Sequence, residues 1–166
     1  MGPLEPILQE IEKAIEGGLY YLALSTALTL PDVCSALEQP SGRTNGNRYK
    51  DGYRDNVQSH FPWLYPADCY SIRSGVSHQG SFGRGNVSYS RVVFTLPDKR
   101  VTMTNCVIND VYVISLTGFC ENMIELVRGR YVRHRDDAYV SKHMSHHLRS
   151  GMMDFRAAWS SSRRAM

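Results

Sequence analysis

The chain reads as a mainly α-helical bundle with a small inserted antiparallel β-hairpin. Apolar residues recur at helical spacing over most of residues 4 to 128. Between residues 88 and 108 the period shortens to two and β-branched side chains dominate. With 166 residues, the chain has room for one domain with a real core but not comfortably for two. We therefore place a helical domain at 1–130, with its hairpin at about 88–108, and a basic C-terminal extension at 131–166.

Residues 4 to 29 predict one long helix, with Ile7, Leu8, Ile11, Ala14, Ile15, Leu19, Leu22 and Ala23 at helical spacing. Glu5, Glu10 and Glu12 lie toward its N-terminus, where the helix dipole favours negative charge. Gly17 and Gly18 interrupt the pattern at ~1 kcal/mol each relative to alanine, which marks a kink or a close helix–helix approach. Pro31 and Asp32 open a second, short helix containing Val33, Cys34 and Leu37. Both helices read as scaffold. A polar, turn-rich loop spans 39–47. A weaker helix follows at 48–57, with Tyr49, Tyr53 and Val57 on one side. Phe61-Pro-Trp-Leu-Tyr-Pro66 is a rigid aromatic connector suited to core packing.

Pro66 and Asp68 signal the next helix start, Cys69, Ile72 and Val76 form its apolar stripe, and Gly80 suits a left-handed stop. Residues 80–85, with Arg84, form a loop. The hairpin strands are expected at 88–96 and 101–108, joined by a turn at 97–100. Helical spacing returns over 110–128 through Val113, Leu116, Phe119, Cys120, Met123, Ile124 and Val127, and this helix should pack on the first. Farther on, Phe155 and Trp159 suit a final short helix, and 160–166 reads as disordered.

Hydrophobic content of 42% and charged content of 21% are ordinary for a globular protein. No apolar run approaches the ~20 residues of a membrane span, and the acidic N-terminal segment does not resemble a secretory signal. The cytoplasm is the expected compartment. Cys34, Cys69, Cys106 and Cys120 are far apart among apolar neighbours, which suits small buried hydrophobes better than disulfides or zinc ligands. Charge is uneven: residues 128–166 carry nine Lys/Arg against three acids, and residues 1–127 ten against thirteen. The basic third is a candidate contact for nucleic-acid phosphates, with Arg84, Arg133 and Arg135 as weak RNA-binding candidates; a solvated helix and tail is the competing reading. His143, His146 and His147 have metal-ligand spacing, but no acid or cysteine within the cluster completes a site, so no metal or other cofactor is expected.

The most informative stretch is Asp68-Cys-Tyr-Ser-Ile-Arg73-Ser-Gly-Val-Ser-His78-Gln-Gly80. It sets an arginine and a histidine five residues apart near the end of one helix. A guanidinium stabilises charge developing on phosphate oxygens, and an imidazole moves a proton to or from a ribose oxygen. A helix C-terminus favours the charged imidazole. Arg73 and His78 are thus the candidate catalytic pair, and Ser74, Ser77 and Tyr70 are auxiliary. Two other arginine–histidine pairs have five intervening residues: Arg54 with His60, the second choice, and Arg128 with His134. A solvated arginine beside a helix-end histidine is the structural alternative.

The same stretch resembles the Arg-x4–6-His signature of HEPN domains. A long first helix with Leu-Tyr-Tyr-Leu-Ala-Leu and the segment Leu-Pro-Asp-Val-Cys-Ser-Ala-Leu-Glu precede it, as in small plasmid- and phage-associated HEPN proteins of bacteria. The resemblance covers about residues 4 to 128. It implies a helical bundle that dimerises, so that two Arg/His pairs meet in one twofold cleft. It further implies metal-independent endoribonuclease activity in a toxin–antitoxin, abortive-infection or other phage-defence system, with RNA as substrate and an antitoxin protein as partner. By position, Arg73 would bind or polarise the scissile phosphate and His78 would be the acid/base. One departure is Ser74, where active members often carry Asn, Asp or His. The alternative implied is a catalytically inactive HEPN-like module that binds RNA or protein, or only dimerises.

Overall fold

The computed structural model describes residues 4–79, 91–97, 104–134 and 140. Six helices and three short strands follow one another among them: α1 (Glu5–Glu16), α2 (Tyr20–Ala27), α3 (Leu30–Leu37), α4 (Gly46–Asn56), α5 (Pro66–Gln79), β1 (Arg91–Thr95), β2 (Cys106–Ile108), β3 (Val111–Ser115) and α6 (Leu116–His134). The protein is mainly helical with a small sheet.

The expected first helix is two helices. Leu19 N–H reaches the Ala14 carbonyl at 2.7 Å and Gly18 N–H the Ile15 carbonyl at 3.1 Å, a Schellman cap with Gly18 left-handed at φ +71°. The break resets the helical phase, so α2 buries Ala23, Leu24 and Ala27 while Leu19 and Leu22 stay exposed. Nothing lies within 4 Å of a Cβ built on Gly18, so its requirement is purely conformational. Gly18→Ala should destabilise by about 1–2 kcal/mol, read as a lower urea midpoint; a neutral outcome would mean that the turn relaxes.

The Pro31-Asp32 start and the tyrosine face of α4 are as expected. Tyr49 and Tyr53 are fully buried, and Val57 nearly so. The α4 helix begins earlier than its apolar pattern, because the Asn45 side chain accepts from the N–H groups of Asn47 and Arg48, both at 3.1 Å. In the aromatic connector Phe61 and Leu64 are buried, while Trp63 and Tyr65 remain partly exposed. The α5 stripe of Cys69, Ile72 and Val76 faces the core.

The sheet departs from the expected hairpin. Its order is β1-β3-β2, with β1 parallel to β3 from Arg91↔Val111 to Thr95↔Ser115, and β2 antiparallel to β3. The hairpin therefore joins β2 to β3, through Asn109 and Asp110 at φ 47° and 60°. That double positive φ is the signature of a type I′ turn. Val113 lies in β3 and not on the last helix, because Val111–Ser115 alternates inward Tyr112 and Ile114 with half-buried neighbours. The helix starts only at Leu116. The expected turn at 97–100 lies outside the described residues except for Pro97, and the expected second strand at 101–108 is described from 104, where only Cys106–Ile108 is strand.

Phe119 of α6 joins sheet to bundle, with ring centroids 5.1 Å from Phe61 and 5.5 Å from Phe94. As expected, α6 packs on the first helix, and it also touches α2, α3 and β3. No helix among the described residues is long and apolar enough to cross a membrane.

Candidate functional site

Arg73 and His78 lie on one continuous helix, α5. Five residues of α-helix separate two Cα atoms by about 7.5 Å along the axis and by ~140° around it. The two Cα positions therefore lie on different faces of α5. The side chains of Ser77 and His78 lie outside the described residues. Arg84, Arg135, His143, His146 and His147 lie outside them too.

Arg73 is not a solvated residue. Its Nη2 lies 2.7 Å from Asp32 Oδ2, joining α5 to the first turn of α3, with side chains 25% and 13% exposed respectively. Among the described residues, the buried Asp32 Oδ2 and Arg73 Nε have no well-formed hydrogen bond. Burial pushes the Asp32 carboxyl above its usual range, and the Arg73 charge only partly counters this. The surrounding frame is firm. The Tyr21 hydroxyl of α2 donates to the Val76 carbonyl of α5 at 3.3 Å, and Ser35 Oγ of α3 donates to the Arg48 carbonyl of α4 at 3.2 Å.

The auxiliary candidates separate. Tyr70 packs on α4, its ring 5.2 Å from Tyr49 with Lys50 Nζ 5.7 Å from its centroid. A Cβ at Gly46 would come within 2.9 Å of that ring, so a side chain there would displace the end of Tyr70. Ser74 is half-buried beside Arg73 on α5. The second-choice pair is less promising. Arg54 is bound at 2.6 Å to Asp51 one turn back, both exposed, and His60 is exposed in the turn after α4. Such a surface ion pair contributes little.

The basic segment is partly neutralised from within. Arg128 donates to both Glu5 and Glu12, pinning α6 to α1, and Arg130 grips Glu38 through Nε and Nη2 at 2.6 and 2.5 Å. Of the candidate RNA contacts, Arg133 is exposed on α6. The Arg128/His134 match is therefore built around a structural staple. Arg128 holds the Glu5 carboxyl below its usual 4.5, mainly by hydrogen bonding and against burial. A carboxyl lowered on folding adds stability above its unfolded pKa, and that stability is lost as pH falls through the folded one. Unfolding midpoints should drop between about pH 5 and about pH 3, and less steeply in Glu5→Gln; parallel profiles would assign the acid sensitivity elsewhere.

Three of the four thiols do not suit nucleophilic chemistry. Burial pushes Cys69 and Cys120 up to about 12 and Cys34 to about 11, and all four cysteines are free. Among the described residues no three His, Cys, Asp or Glu side chains gather as a metal site.

Asp32 and Tyr21 are the site residues that sequence reasoning missed. Asp32 carried a helix-start signal, which accounts for its type without its partner, and nothing local ties it to an arginine on another helix.

The class defined here is a mainly helical protein with a small mixed sheet, bearing a partly buried arginine on a helix that ends in an Arg-x4-His segment. The chain matches no protein-family model, no curated protein and no solved structure.

Proposed function

We propose that the protein is a metal-independent endoribonuclease of HEPN type, acting in bacterial defence or as the toxin of a toxin–antitoxin pair. The observation that carries this reading is Arg73, a quarter exposed and held on α5 beside Asp32, five residues before His78 on the same helix. In the proposed reaction the ribose 2′-hydroxyl attacks the adjacent phosphate. His78 moves the proton, Arg73 stabilises charge on the phosphate oxygens, and the 5′-oxygen leaves.

Because positions 73 and 78 lie on different faces of α5, the working site is proposed to need a second copy. A twofold homodimer through this face sets Arg73 of one protomer near His78 of its partner, and each residue then occurs twice in the interface. The purified protein should cleave single-stranded RNA in the presence of chelator and leave 2′,3′-cyclic phosphate ends. Light scattering should give twice the chain mass. Products with 3′-hydroxyl ends, or an active monomer, would overturn the mechanism.

One observation favours a second reading, a non-cleaving module that binds RNA or protein. Asp32 already offsets the charge of Arg73. In that case wild-type protein should bind RNA and leave it intact over long incubations.

A further inference from the structure

Lys13, Arg54, Arg73, Arg128 and Arg130, on the described helices, each hold a carboxylate. The stretch from Gln39 to Lys50 departs from that habit: it carries Arg43, Arg48 and Lys50 and no acid. Among the described residues none of these three forms an ion pair. The uncompensated charge also sits where a helix least favours it. Arg48 and Lys50 lie near the start of α4, whose first turn has no acid, and the dipole there is already positive. Asn45 caps the N–H groups of Asn47 and Arg48, so the charge of the patch resides on side chains and not on open backbone.

The cations are both held and reachable. Arg48 Nη1 donates to the Arg43 carbonyl at 2.9 Å, which folds the loop back on α4. Lys50 Nζ lies 5.7 Å from the centre of the Tyr70 ring, within cation–π range, and that ring leans on Tyr49. Arg43 is exposed. Arg48 and Lys50 are half-buried, as long cations are when their stems lie on the surface and their heads stay in water.

The chemistry of the patch selects its partner. A protein interface has an apolar centre and few lysines, whereas the large exposed apolar side chains of this molecule, such as Leu19, Leu22, Trp63 and Ile108, all lie outside residues 39–50. A phosphate backbone asks only for cations. The patch also leads to the candidate site, since Arg73 follows Tyr70 by three residues and so lies one turn along the same side of α5.

We infer that Arg43, Arg48 and Lys50 form a phosphate-backbone track that guides single-stranded RNA toward Arg73. The inference rests on the reading of the protein as a ribonuclease and adds a binding surface to it. Contacts to phosphates read no base sequence. Loss of the track should therefore raise KM and leave kcat unchanged.

The test titrates the full chain with a fluorescent single-stranded oligonucleotide at several salt concentrations. Its 2′-O-methyl riboses keep the phosphates and lack the attacking hydroxyl. Arg43→Gln, Arg48→Gln and Lys50→Gln should each flatten the slope of log affinity against log salt by about 0.7, and the triple variant by about 2. Arg48→Lys, which keeps the charge, should keep the slope. Lys13→Gln removes the same charge from α1, where Glu10 already offsets it, and should change nothing. If Arg48→Gln loosens the loop and lowers the melting temperature, Lys50→Gln, which breaks no hydrogen bond, still reads the track. A wild type that does not bind the probe overturns the proposal, as does a triple variant with an unchanged slope or a Lys13→Gln effect of equal size. Polyglutamate of matched charge that competes as well as the oligonucleotide also overturns it, and would assign the patch to an acidic protein; weaker competition supports it. Intact RNA alongside a flattened slope in the triple variant would sink the nuclease reading and leave the track standing. Cleavage with slope and KM unchanged in the triple variant would do the reverse.

Discussion

Replacing His78 by alanine should lower RNA cleavage by ~10²–10⁴-fold, the usual contribution of a positioned acid/base group. Arg73→Ala should have a comparable effect, because in the proposed mechanism its charge meets the phosphate. If the two act in one step as proposed, the double variant should be little worse than either single one. Two controls make the test specific. His60→Ala should be harmless, since His60 is exposed and its candidate partner Arg54 is bound to Asp51. Arg128→Ala should loosen the contact of α6 with α1 and lower stability without affecting turnover per folded molecule, because its guanidinium is taken by Glu5 and Glu12. A wild type unaffected by Arg73→Ala and His78→Ala but inactivated by His60→Ala would move the site to the turn after α4.

The parts of this molecule legible in its sequence are those where one periodicity ran unopposed. The stripe of Cys69, Ile72 and Val76, the tyrosine face of α4 and the Phe119 to Val127 face of α6 were all readable, and all are buried. Val111–Ser115 was not, because Val113 and Leu116 also fit the phase of the helix that follows. What decides for a strand is pairing on both edges, with β1 and with β2, and that information lies elsewhere in the chain. The signal that was available was Asn109-Asp110, two residues that tolerate left-handed backbone at a hairpin tip. At the site, the Arg73 and His78 positions were readable as a spacing. The hold of Asp32 on Arg73 was not, since no local pattern encodes an ion pair between α3 and α5. The same holds for Arg128, whose partners on α1 make it a staple and not a catalytic candidate.

That distinction between local and long-range information bears on how the sheet belongs to the fold, and Phe119→Ala tests it. If the strands were an appendage on a self-sufficient helical bundle, the cost of the substitution would come from the helices alone. The packing argues otherwise. Phe119 is fully buried with Phe61 of the connector on one side and Phe94 of β1 on another, so truncation opens a cavity where α6, the connector and the sheet meet. A cavity bounded by three separate elements cannot close by moving one of them. The cost should therefore lie at about 3–5 kcal/mol, the range for large aromatic truncations. It should be read in urea and accompanied by faster amide exchange in β1 and β3 as well as in α6. Phe119→Leu, which keeps most of the volume, should cost roughly 1.5 kcal/mol or less. Val132→Ala, on an exposed stretch of the same helix, should stay within about 0.5 kcal/mol. Loss confined to α6, with strand protection unchanged, would show that the sheet holds its place without Phe119. Exchange rising together across α6, β1 and β3 is the result that the three-way contact requires, because the rings that bind the sheet also complete the bundle core.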